Sequence, residues 1–257
     1  MVHQYLFLLR ELVKRDFQGR YAGSVLGFFW SFAQPLWQLI LFTFVFSTVM
    51  KISPVGERTD SFAIFLFCGL LPWTAIQEGV MRSAVSVTEN ASLVKKMRFP
   101  AEVLVVAVVL AALVHEAIAA VVFCAVLLAT GHLPWGGLPA LLLAVPLQLA
   151  LTLGLGFLLA AVNVFLRDLS QILGLLLQGW FYLTPIVYPL QLVPEEYRWL
   201  LELNPMTALV GLYRQAFLGD APRWVDGTGA LALVAILLLG SGTWLFRRLK
   251  SRFVDEI

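Results

Sequence analysis

His115 and Glu116 stand side by side in an apolar stretch, and a His-Glu step is how a zinc-protease helix begins. Position 119 is alanine, so "HEAIA" lacks the second histidine one turn on that HExxH chemistry requires. No GxSxG element offers a serine nucleophile. Glu195 and Glu196 are adjacent, and adjacent helical side chains diverge rather than share a site. Cys68 and Cys124 are isolated within apolar runs, so neither a CxxC pair nor a metal cluster is present. No Gly-Lys dipeptide exists, and with it no loop of the usual kind for nucleotide phosphates. The chain is therefore expected to bind no cofactor or metal, and a membrane-embedded enzyme or assembly subunit is the weaker reading of it. His115 and Glu116 stay of interest, because ionisable groups at membrane depth are costly and are often functional. Two roles remain open for this intramembrane polar site: hydrogen bonding between helices or into a watery cavity, and a direct part in gating or substrate contact.

Two further groups of residues have chemistry to offer. In "ASLVKKMRFPAE", residues 91 to 102, Lys95, Lys96 and Arg98 crowd together in a chain only 13% charged. Such a cluster suits an acidic protein partner, where charge steers docking and register, or anionic lipid headgroups. The other group is aromatic. Trp30 and Trp37 are seven residues apart, so on a helix they share a face with Gln34. Phe181, Tyr182 and Tyr188 form a second set. Rings offer broad, non-directional contacts to the C–H faces of sugars, and Gln34 can hydrogen-bond hydroxyls. The competing role for all of them is core filling or an interfacial belt, which Trp135, Trp199, Trp224 and Trp244 also fit.

The elements that must position these residues lie in hydrocarbon. Sixty per cent of the 257 residues are hydrophobic, and mean hydropathy is +0.85. A spanning helix needs roughly 20 apolar residues. No charge occurs between Arg20 and Lys51, Asp60 and Glu78, Asp168 and Glu195, or Asp226 and Arg247, and from Ala117 to Leu166 the only possible charge is His132. These runs place helices at about 24–50, 61–80, 103–130, 137–165, 169–184 and 228–246: an all-α polytopic membrane protein with six spans. Residues 2–18 alternate apolar and charged positions near helical spacing and suit an amphipathic helix in the interface. The domains are thus 1–20, interfacial, and 21–257, transmembrane. Residues 185–227 are too apolar for a free loop and too broken by proline for one span, which suits re-entrant or interfacial helices.

Thirteen of the 18 Lys and Arg residues fall at the termini, in the 81–102 loop and at Arg167, against five on the other side. The richer side is expected to be cytoplasmic, with both termini there. The basic cluster then faces the cytosol, as does the turn holding Asn163, Arg167 and Asp168. Ion-coupled transport would need acidic groups deep in several spans, and Glu116 alone qualifies. Energy for uphill transport would therefore come from a partner.

Six strings complete the picture: "RDFQGRYAGSVLGFFWSFAQPLWQLILFTFVFS" (15–47), "GLLPW" (69–73), "LVKKMRFPAEVLVV" (93–106), "NVFLRDL" (163–169), "TPIVYPLQLVP" (184–194) and "LNPM" (203–206). In this order they resemble the permease subunit of polysaccharide-exporting ABC transporters of the ABC-2 type, which handle O-antigens, capsules and teichoic acids. The resemblance implies a homodimer of six-span subunits in the bacterial inner membrane, two separate ATPase subunits that bind ATP and Mg, and a lipid-linked polysaccharide as cargo. It implies a coupling segment at about 90–100, carried by Leu93, Lys95, Lys96, Met97, Arg98 and Phe99, and gate helices within 185–227. It implies a substrate channel, for which Trp30, Gln34, Trp37, Phe181, Tyr182 and Tyr188 are the candidates. No nucleic-acid partner is expected, and a small-molecule or drug exporter permease of the same type is the alternative cargo reading.

Overall fold

Hydrocarbon offers no partner to a backbone N–H or C=O, so a chain this apolar must bond its backbone within itself. The computed structural model describes residues 2–20, 29–51, 54, 59–96, 100–131, 134–219 and 225–256, and every regular element among them is helical. Five helices are long and apolar enough to cross a membrane: Trp30–Val49, Phe62–Glu89, Glu102–Ala129, Leu138–Asn163 and Thr228–Glu256.

In chain order, α1 (Val2–Arg20) precedes α2 (Trp30–Phe42), which runs into a π-helical turn, Thr43–Val49. Next come α3 (Phe62–Glu89), the six-residue α4 (Ala91–Lys96) and α5 (Glu102–Ala129). A 3₁₀ turn leads into α6 (Leu141–Asn163), followed by α7 (Leu169–Tyr182), α8 (Glu195–Glu202) and α9 (Pro205–Leu218). The chain closes with α10 (Thr228–Leu249) and α11 (Phe253–Glu256). The helix expected over 61–80 continues to Glu89, because hydropathy reports where the chain leaves hydrocarbon and not where the helix stops. The run expected over 169–184 is a 14-residue helix, about 21 Å long and short of the ~30 Å hydrocarbon thickness.

Between lipid-facing helices the hydrophobic effect supplies little drive, and close backbone approach takes its place. The α6–α10 seam is the clearest case. A Cβ on Gly242 would lie 2.3 Å from the Gly154 carbonyl oxygen, and one on Gly154 would lie 2.6 Å from the Leu238 backbone. Gly79 of α3 likewise admits Thr152 of α6, and Gly156 admits Ser83. Pro35, Pro72 and Pro146 sit inside α2, α3 and α6, each removing a backbone hydrogen bond where a helix can bend.

Two apolar clusters fill the bundle. One joins Leu12 of α1, Val87, Val94 of α4, Leu104, Phe157, Phe246 and Phe253. There Phe246 stands edge-on to Phe157 and Phe253 at 5.4 and 5.2 Å. The larger cluster, towards the other end, packs Phe65, Phe67, Phe123, Ile186, Met206, Leu209, Tyr213 and Phe217. Replacing Gly154 with valine should therefore force α6 and α10 apart and lower the midpoint of thermal unfolding in detergent by several degrees, the overpacking penalty being about 1–3 kcal/mol. Gly174→Ala, where an added Cβ meets nothing within 4 Å, should leave it unchanged.

Candidate functional site

A buried polar chain crosses the middle of the bundle. Glu116 of α5 is 7% exposed and Gln148 of α6 is fully buried. The Gln148 amide nitrogen donates to Glu116 Oε2 at 2.6 Å, and the Tyr213 hydroxyl of α9 donates to Gln148 Oε1 at 2.5 Å. One turn of α6 further on, Thr152 donates its hydroxyl to the Gln148 carbonyl at 2.7 Å. Three helices that hydrophobic packing alone would let slide are thereby held in one register.

Beside it runs a second, charged chain. His115 Nδ1 lies 3.2 Å from Glu78 Oε2 of α3. Arg82, one turn along α3, reaches Glu78 at 3.5 Å and pairs closely with Asp16 of α1. Helix α1 is thus tied to the bundle by an ion pair and by Leu12, while Arg15 donates to the Asn90 side chain at 3.0 Å. The two chains meet at a cavity of about 130 Å³ that Gln34, Gln38, Thr74, Glu78, His115 and Glu116 line. His115 and Glu116 each bond to a neighbouring helix, and both line this cavity.

The segment after α7 is held by two side chains that sequence reasoning passed over. Asn204 Oδ1 accepts from Met206 N, at 3.0 Å, and from Trp180 Nε1, at 2.8 Å. Its Nδ2 donates to the Leu183 carbonyl and to Thr184 Oγ1, at 3.1 and 2.9 Å. Asn204 therefore caps α9 and closes the end of α7 with one amide. Asn-Pro is the expected start of a helix, since Asn supplies the cap and Pro205 lacks the N–H that would go unpaired; "LNPM" carried that signal. Arg214 donates to the Pro185 and Ile186 carbonyls at 2.7 and 3.1 Å, with its guanidinium 3.7 Å above the Phe65 ring. A hollow of about 480 Å³ opens beside α9, lined among others by Gln191, Glu202, Thr207, Gln215 and Asp226.

The aromatic candidates divide between two elements. On α2, Trp30, Gln34 and Trp37 are exposed, Trp37 by 60%, while Ser31, Pro35 and Leu39 turn inward. At the end of α7, Tyr182 is 60% exposed and Phe181 half-buried against Trp73, at 5.5 Å. The Tyr188 hydroxyl donates to the Tyr182 carbonyl at 2.9 Å, and burial lifts its pKa above the ordinary phenol value. Among the described residues the two sets lie on separate elements and line no common pocket.

Of the basic cluster, Lys95 is exposed on α4 and Leu93 is half-buried, while Val94 between them anchors the helix to the core. Lys96 ends α4, and Met97, Arg98 and Phe99 lie outside the described residues. At the α6–α7 turn, Asn163 is buried and Arg167 and Asp168 are exposed; the Asp168 side chain does not cap α7.

Residues 8–218 match the family described as ABC-2 type transporter. The chain belongs to that family. It is 33% identical over its whole length to the O-antigen export system permease protein RfbA of Myxococcus xanthus, covering 97% of it. It is 30% identical over 98% of its length to the O-antigen export system permease protein RfbA of Klebsiella pneumoniae, covering 95%. To the polysialic acid transport protein KpsM of Escherichia coli it is 24% identical over 93% of its length, covering 92%. This ABC-2 chain, with its apolar helices, is a multi-pass protein of the inner membrane. Truncating its Asn204 to alanine removes a helix cap and leaves Trp180 without its acceptor, a loss of about 1–3 kcal/mol. Amide hydrogen exchange in 183–186 and at the start of α9 should rise about fivefold to a hundredfold in that variant.

Proposed function

We propose that this chain is the permease of an ATP-driven exporter that moves a lipid-linked polysaccharide from the cytoplasmic to the outer side of the inner membrane. The observation that carries the reading is end-to-end similarity to a protein named as an O-antigen export permease, 33% identical over all of this chain. O-antigen-like polymer is the first candidate cargo, and the similarity to a polysialic acid transport protein keeps capsule polymers in the same class.

In this reading α7, with its flanking residues, crosses a locally thinned layer as the fifth of six spans, and both termini face the cytosol. Two copies line a conduit with Trp30, Gln34, Trp37, Phe181, Tyr182 and Tyr188, of which Trp30, Trp37 and Tyr182 have exposed rings in the single chain. Pairing two copies sets the α2 and α7 faces around one path. A hydrophilic polymer slides along aromatic faces because each contact is weak and non-directional. ATP and Mg sit on two separate ATPase subunits, against which α4 and the residues that follow it dock through Leu93, Lys95, Lys96, Met97, Arg98 and Phe99. Closure of the ATPases pushes α4, which is fixed to the bundle by Val94. Helices α8 and α9 form the outer gate, clamped by Asn204 and Arg214. Arg167, Asp168 and Asn163 shape the cytosolic turn.

Reversing the charge of Lys95, Lys96 and Arg98 together should cut recovery of the ATPase with the tagged permease by about tenfold or more, the equivalent of losing ~1.4 kcal/mol of docking. Undiminished recovery contradicts docking at this segment. Trp37→Ala and Tyr182→Ala should each lower polymer export several-fold at normal membrane abundance. Export at the wild-type rate in both would remove these rings from the path.

A further inference from the structure

Helix α1 is fixed to the protein along one side only. Leu12 is buried in the cluster around Phe246, Arg15 donates to Asn90, and Asp16 pairs with Arg82, so the helix has one rotation on the bundle. That rotation sets a second stripe, Leu6, Leu9, Arg10, Val13 and Lys14, beside α5. Facing it on α5 are Leu110, Leu113, Val114 and Ala117, also three and four apart, as one helix face requires. Between the two stripes lies an open groove of about 610 Å³, aliphatic except for its two cations and lined by no carboxylate. Arg10 and Lys14 are exposed, and neither forms an ion pair with another described residue. Beyond the groove the α5 surface stays apolar: Val114, Val121 and Leu128, seven apart, are all exposed.

We propose that this groove binds one anionic glycerophospholipid, its phosphate between Arg10 and Lys14 and an acyl chain laid along α5. Residues four apart on a helix hold their Cβ atoms about 5–6 Å from each other, close enough for both cations to reach one phosphate. The arginine fork matches phosphate oxygens, and the aliphatic stems of both side chains lie along the apolar wall. Charge selects the occupant. A second copy seated here by twofold symmetry would set its own Arg10 and Lys14 against these two, so like charges oppose that pairing. An acyl chain carrying one negative group satisfies the wall and the cations together, and it covers the side of α1 that the protein leaves open. The bonds made by Arg15 and Asp16 hold the two cations in place before any lipid arrives. This inference is independent of the cargo.

The test is photolabelling of the purified full-length chain in nanodiscs of mixed phosphatidylglycerol and phosphatidylcholine. A diazirine sits in the acyl chain of one lipid or the other, and the adducts are mapped by peptide mass spectrometry. Phosphatidylglycerol should label 6–14 and 110–128 on the order of tenfold more than phosphatidylcholine, the preference that two cations near a membrane surface confer. Arg10→Gln with Lys14→Gln should erase that preference. Arg247→Gln with Arg248→Gln removes two exposed cations from the same end of the bundle and should keep it. Equal labelling by the two lipids in the wild type overturns the proposal, since ordinary boundary lipid behaves so. A preference that survives the first double variant, or disappears in the second, overturns it too. Displacement of the label by an equimolar polyprenyl phosphate contradicts the choice of a diacyl lipid. If the Arg10–Lys14 variant does not accumulate, Ala117→Trp decides: it fills the groove from an exposed position and leaves both cations. The preference should then fall several-fold, and an unchanged preference refutes the site.

Discussion

A polar side chain in a bilayer must find its partner inside the protein, and in this molecule that requirement fixes which helices touch. Glu116, Gln148 and Tyr213 come from three separate helices and meet in one hydrogen-bonded line. Lipid competes for every leucine on these helices but cannot replace the amide of Gln148. The apolar contacts therefore set how closely the helices approach, while the polar chain sets their rotation and register. Apolar contacts bury one face of α9, through Met206, Leu209, Val210 and Phe217, and polar bonds add direction to that packing. Tyr213 and Arg214, adjacent in sequence, bind α9 to the bundle in one direction and to the 185–186 backbone in the other.

The same division of labour explains the two ends. At the end carrying α1, α4 and α11, aromatic packing around Phe246 and Phe253 is reinforced by the Arg82–Asp16 and Lys250–Glu102 pairs. Both pairs are partly exposed, so each contributes on the order of 1 kcal/mol or less. Their use is orientation: α1 cannot roll without breaking the first, nor α10 without breaking the second. At the other end, single side chains replace regular backbone pairing, Asn204 serving four partners where α7 stops and α9 begins.

Much of this architecture is legible in the sequence, for identifiable reasons. Among the described residues, charge-free runs located the long helices within a few residues except α3, whose polar last turns lie outside the hydrocarbon criterion; residues 24–28 of the first expected span lie outside the described residues. The six-residue α4 falls inside the segment marked out by its basic cluster. What sequence could not show was pairing: Glu78, Asp16 and Arg82 are ordinary charges until the fold brings residues 66 positions apart into contact. Gln148 and Tyr213 likewise carry no local signal, because a lone Gln among leucines reads as tolerated polarity. Asn204 could have been found, since an Asn-Pro step before an apolar run has a defined meaning at a helix start. Trp30, Gln34 and Trp37 were legible as one helical face, whereas the half-burial of Phe181 and Tyr188 depends on packing that spacing does not report.

The central claim, export of a lipid-linked polysaccharide through this chain, is tested most directly by the sidedness of the polymer in cells that lack it. Cell-surface polymer and polymer accessible only after the inner membrane is opened would be measured with and without the chain. The account requires that surface polymer disappear, that lipid-linked polymer accumulate on the cytoplasmic side, and that the intact chain restore the original distribution. Normal surface polymer with no internal accumulation would contradict it.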